Sequence, residues 1–212
     1  MVSLLPSQPY LRTIPLTSAP RPDIPAILSM IRELAGHEKA LSSVQASEAS
    51  LRRTLTFASH PTPVSSTEHP TFINEDPPGY AKTLILRLPD TGEAAGMAMF
   101  FNNYSTWRSK PGVYLEDLFV REVYRGRGYG KMLIRALAQE VLRIDGARLE
   151  WSCLRWNSGS LAFYDSLGAR RMEEWVGLRL EGEALTAVAE GRKRAVNVGV
   201  GINGTNGEVN GH

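Results

Sequence analysis

The chain has 212 residues, 42% hydrophobic and 22% charged, the make-up of a globular protein long enough to bury one sizeable core. With 24 basic and 22 acidic side chains the formal charge is only +2, so nothing in the balance points to nucleic acid or an anionic membrane as a partner. A single cysteine, Cys153, excludes a disulfide framework within the chain and fits a reducing compartment, cytoplasm or nucleus. No apolar run approaches the ~18 residues of a membrane span, and the proline-broken start does not suit a signal peptide.

Taken in order, "YLRTIPLTS" predicts a short strand. Asp23 is a candidate N-cap with Pro25 in the first turn, and Ile24, Ile27, Leu28, Ile31 and Leu34 recur at helical spacing up to a stop at Gly36. A weaker helix follows from Ser47 through Leu51 and Leu55. Residues 58–80, rich in proline, serine and threonine, form a long loop. "TLILRL", "AAGMAMFF" and "GVYLEDLFVRE" are three strands. A glycine loop then opens a helix through Leu133, Leu137, Val141 and Ile144 that stops at Gly146. "ARLEWSCLRW" is a strand, "NSGSLAFYDSLG" a short helix, "RRMEEWVGLRL" a last strand and "GEALTAVAEG" a terminal helix. The Gly- and Asn-rich end from Gly199 has little to bury and suits disorder. The class is α+β, with one domain over 10–190 and flexible tails at 1–9 and 191–212.

The loop "YRGRGYGK" between strand and helix offers backbone N–H groups to an anion, with the positive end of the helix dipole behind them. A P-loop is excluded, because Met132 follows Lys131 where a Ser or Thr is required. The dinucleotide pattern G-x-G-x-x-G fails too: its third glycine would fall on Lys131 or Leu133. What fits is R-x-x-G-x-G, with Arg125, Gly128 and Gly130.

That motif resembles the pyrophosphate signature of the GNAT N-acetyltransferases. "IRELAGHE", "YLEDLFV" and "WNSGSLAFYDSLGA" extend the resemblance to their spermidine/spermine (diamine) acetyltransferase-like subfamily over about residues 10–190, the proline-rich loop apart. The resemblance implies the GNAT fold, a central mixed, mostly antiparallel sheet with a splayed, bulged strand, flanked by helices. It implies acetyl-CoA as co-substrate and no metal; the four histidines stand in no ligand spacing with Cys153. Main-chain groups of Leu118, Phe119 and Val120 would pair with the pantetheine arm. The amides of Gly126, Arg127, Gly128, Tyr129, Gly130 and Lys131 would cradle the pyrophosphate, with Arg125, Arg127 and Lys131 supplying charge, Ser160 binding the coenzyme and Asn157 binding it or capping the helix.

For the chemistry, the resemblance assigns Tyr164 as the acid that protonates the departing thiolate and Glu116 as the base, acting through water. Glu116 and Asp117 are strand neighbours and reach one site only if the strand is bulged. The acceptor would meet His37, Glu38, Trp107, Asp117 and Trp151. Four positions depart from the polyamine pattern: His37 stands where a tyrosine is expected, Ser105 replaces an acidic residue, and Trp175 and Leu178 fall where a glutamate and a tryptophan are expected. A diamine, a polyamine, thialysine or a similar amino acid would each suit as acceptor. A protein-directed acetyltransferase, acting on lysines or N-termini, is the alternative. Members of the subfamily pair as homodimers, and the same is expected here.

Overall fold

The structure, a computed structural model, describes residues 16–18, 23–57 and 79–192. It is α+β, as the sequence leads one to expect. The chain runs β1 (Leu16–Ser18), α1 (Ile24–His37), α2 (Glu48–Thr54), β2 (Leu55–Thr56), β3 (Ala81–Arg87), β4 (Ala94–Ser105), β5 (Lys110–Val120), α3 (Tyr129–Arg143), β6 (Leu149–Trp151), α4 (Ser158–Ser166) and α5 (Gly182–Ala189). It divides into two compact units between Asn157 and Ser158.

In the first unit the strands lie in the order β1-β3-β4-β5-β6, with the short β2 also on β3. β3, β4 and β5 are antiparallel neighbours, whereas β6 joins β5 in parallel. One face of the sheet takes α1, whose Ile24, Ile27, Leu28 and Met30 are buried with Ile85, Met97, Met99 and Phe119. Strand alternation turns Leu84 and Leu86 to the other face from Ile85. There α3 packs along β3, β4 and β5, burying Leu133, Leu137 and Val141.

Several local expectations change in the folded chain. Asp23 precedes α1, and Pro25 lies in its first turn, but the Asp23 carboxylate caps nothing. It is ion-paired with Arg87, a partner the linear sequence does not announce. The helix continues past Gly36 to His37, and the chain turns at Lys39, whose φ is +59°. β6 is only three residues long, so Cys153 lies beyond the strand rather than on it. The predicted last strand, "RRMEEWVGLRL", is not a strand, and Arg171–Leu180 are all exposed. Apolar content alone does not make a strand; a partner edge must satisfy its N–H and C=O groups. The 58–80 loop falls largely outside the described residues, as do the start of the first predicted strand and the Gly-rich end. Among the described residues no helix is long and apolar enough to cross a membrane.

Candidate active site

The site begins with a register shift. Met99 of β4 lies opposite Asp117, but its neighbour Phe100 lies opposite Leu115, so Glu116 is an extra residue in β5. Residues two apart on a regular strand share a face; one inserted residue breaks that rule. Leu115 therefore shares a face with Phe100, while Asp117 shares one with Met99 and so turns toward α1. The bulge required for the "LED" stretch is present.

The end of α1 meets Asp117 electrostatically. Burial, with the negative charges of Glu116 and Glu38, pushes the Asp117 carboxyl from 3.8 up to about 6. Three carboxylates from two separate elements thus bear on one place. Beside them the His37 ring lies 6.3 Å from the ring of Trp156, and the Lys39 ammonium stands 5.9 Å over that same indole. Trp156 is a candidate site residue that the sequence did not single out. It opens the quoted "WNSGSLAFYDSLGA" stretch, but nothing in the linear order joins it to the end of α1.

The same strand is open where a coenzyme arm would lie. β6 pairs with β5 only at Val113, Tyr114 and Leu115, whereas Leu118, Phe119 and Val120 pair with β4 alone among the described strands. Trp151, opposite Leu115, is the last residue of the parallel ladder before the strands part. Asn157 lies just before α4 and donates its backbone N–H to the Leu154 carbonyl at 2.9 Å.

The glycine loop has the conformation its sequence invites. Gly126 and Gly128 have φ of +76° and +82°, in the left-handed region that favours glycine, and α3 starts at Tyr129. A Cβ at either glycine would meet nothing within 4 Å, so the loop is not crowded there. Among the described residues the amides of Gly126, Arg127 and Gly128 have no backbone acceptor, and those of Tyr129, Gly130 and Lys131 belong to the unpaired first turn of a helix. Open strand edge and free amides fit a pantetheine pyrophosphate such as that of acetyl-CoA. The arginines are less exposed to an incoming anion than their spacing suggests. Arg125 Nε donates to the Val120 carbonyl at 3.0 Å, and Arg127 donates to the Val123 carbonyl at 3.3 Å while lying over the Tyr124 ring. The Val120 carbonyl, expected to face pantetheine, is thus already engaged.

The loop is also tied to its surroundings. Arg121 reaches Glu33 of α1 and Glu93 of the β3–β4 turn, both at 3.2 Å, and Tyr124 donates to Glu93 at 2.8 Å.

Other expected residues stand elsewhere. Trp107 is 92% exposed in the β4–β5 hairpin turn, about 20 Å of strand from the bulge. Tyr164 is half-buried on α4 in the second unit, with its ring 5.2 Å from that of Phe163 and its carbonyl accepting from the Leu167 and Ala169 amides. Ser160 is on the same helix. Among the described residues no group of three or more His, Cys, Asp or Glu side chains is arranged to hold a metal ion.

Comparison with known proteins gives the family. The family model described as acetyltransferase (GNAT) family matches residues 49–169. L-ornithine N5-acetyltransferase NATA1 of Arabidopsis thaliana is 32% identical over 191 residues, covering 78% of this chain and 83% of its own. Thialysine N-epsilon-acetyltransferase of Sus scrofa is 33% identical over 172 residues, covering 77% and 89%. Among solved structures, an integron cassette protein from V. cholerae superposes with a TM-score of 0.62 at 21% identity, covering 84% of this chain and 98% of its own.

Proposed function

The chain belongs to the acetyltransferase (GNAT) family, and from that premise we propose that it acetylates the side-chain amine of a small amino acid. It is an N-acetyltransferase of the branch whose relatives act on small-molecule amines. The narrower choice rests on those relatives, whose named acceptors, ornithine and thialysine, are amino acids. It rests too on Ser105, which lacks the acidic contact a long polycation would use.

The observation that carries the reading is the bulge at Glu116, which turns Asp117 toward Glu38. Asp117 and Glu38 hold the acceptor's ammonium. Glu116, exposed at the bulge, accepts the proton of that amine through water, since a free alkyl ammonium has a pKa of ~10.4 and must be neutral to react. Acetyl-CoA, when bound, supplies an acyl thioester open to that amine. The Leu118 N–H stabilises charge on the thioester oxygen, and the Tyr164 phenol gives a proton to the sulfur. The amides from Gly126 to Lys131 hold the pyrophosphate. We further assign the protein to the cytoplasm as a homodimer, in which exposed Trp107 is a candidate partner contact.

The test is free-thiol release from acetyl-CoA with ornithine, thialysine, putrescine, spermidine and a lysine peptide. Turnover led by an amino acid supports the reading; a signal with the peptide alone moves the function to protein acetylation.

A further inference from the structure

An amino-acid acceptor carries a carboxylate as well as the reacting amine, and a site made only of Glu38, Glu116 and Asp117 would repel it. A cation close to those acids is therefore needed. We propose that Lys39 is that cation and reads the acceptor's α-carboxylate; this rests on the amino-acid reading of the function.

Lys39 follows Glu38 directly and turns the chain with a φ of +59°, a conformation that a residue with a Cβ adopts uncommonly. Its amide is held by the Gly36 carbonyl at 3.1 Å, so the turn is fixed rather than loose. Its ammonium does not pair with the carboxylate next door. Among the described residues Lys39 makes no ion pair, and it stands instead over Trp156, 5.9 Å from the ring centre. A cation seated on an indole is oriented while its charge stays available to an anion. The indole is braced in turn by His37 at 6.3 Å. The end of α1 thus presents an anion at Glu38 and a cation at Lys39, a pair complementary to an amino acid's side-chain ammonium and its carboxylate. A diamine would use the first and be opposed by the second.

Matched acceptors isolate the effect, because ornithine and putrescine, or lysine and cadaverine, differ only in the carboxylate. The kcat/KM ratio of each amino acid to its diamine is measured in wild type, Lys39→Met and Lys39→Arg. The ratio should exceed one in wild type, fall about tenfold in Lys39→Met, chiefly through the amino acid's KM, and be largely kept in Lys39→Arg. Both variants keep a side chain of similar length, so the backbone requirement at this position is the same in all three. A ratio unchanged in Lys39→Met, or an equal loss for both members of a pair, would make Lys39 merely structural and overturn the inference alone. A wild-type preference for the diamines overturns it as well. Turnover of neither member of either pair, with thialysine also inert, removes the proposed function and takes this inference with it.

Discussion

Glu38, at the end of α1, helps to raise the pKa of Asp117 in the middle of β5, although no covalent feature links the two positions. The helix supplies the negative charge and the bulge at Glu116 supplies the direction in which Asp117 points. Burial of Asp117 makes the largest contribution, and the charges of Glu116 and Glu38 add to it.

This relationship costs stability, and the cost depends on pH. Asp117 ionises near 3.8 in the unfolded chain and near 6 in the folded one, so between those values the native state binds more protons. The contribution of this group therefore worsens as pH rises from about 4 to 6, and the full penalty is present at neutral pH. Asp117→Asn removes it, a gain on the order of 2 kcal/mol at pH 7.5, equivalent to about 5 °C in Tm. Thermal melts at pH 7.5 and pH 4 should show the gain shrinking at the lower value. A variant less stable than wild type at neutral pH would mean that the carboxylate is better satisfied in the fold than its surroundings imply. The same variant should raise the acceptor KM, because the anchor for the ammonium is gone.

Tyr164→Phe removes one hydroxyl and keeps the ring beside Phe163. If the phenol protonates the sulfur, kcat drops by about 100-fold while the dissociation constant for acetyl-CoA, measured by calorimetry, stays within about twofold. Undiminished kcat would remove Tyr164 from the mechanism.

Gly128→Ala tests the phosphate loop without crowding it, since nothing stands within 4 Å of the added methyl. Its effect comes from the φ of +82°, which costs an alanine about 1–2 kcal/mol. The expected result is a raised KM for acetyl-CoA, with acceptor KM little changed. The complementary result, a stable variant with normal coenzyme KM, would show that these amides do not hold the pyrophosphate.

Arg121→Met cuts the tie between α1, the β3–β4 turn and the start of the glycine loop. It leaves Glu33 and Glu93 without their shared cation. Its partners Glu33 and Glu93 are 38% and 46% exposed, so urea unfolding should show a loss of about 1 kcal/mol, with coenzyme affinity reduced alongside. Loss of stability with coenzyme binding intact would confine Arg121 to holding the fold.

The sequence by itself determined the features that depend on near neighbours. Apolar spacing found α1 and α3, alternation and turn residues found β3, β4 and β5, and the glycines of "YRGRGYG" marked the loop that opens α3. "LED" raised the condition that both carboxylates reach one site only if the strand is bulged, and the bulge is there. Only the tertiary structure decided what depends on a partner. Asp23 gave up its cap for Arg87, and "RRMEEWVGLRL" lacked the paired edge that would have made it a strand. Trp156 became part of the site because folding carried it to His37 and Lys39. Periodicity reports which side of an element is apolar, but pairing and burial are set by whatever packs against it. For this chain those partners lie dozens of residues away.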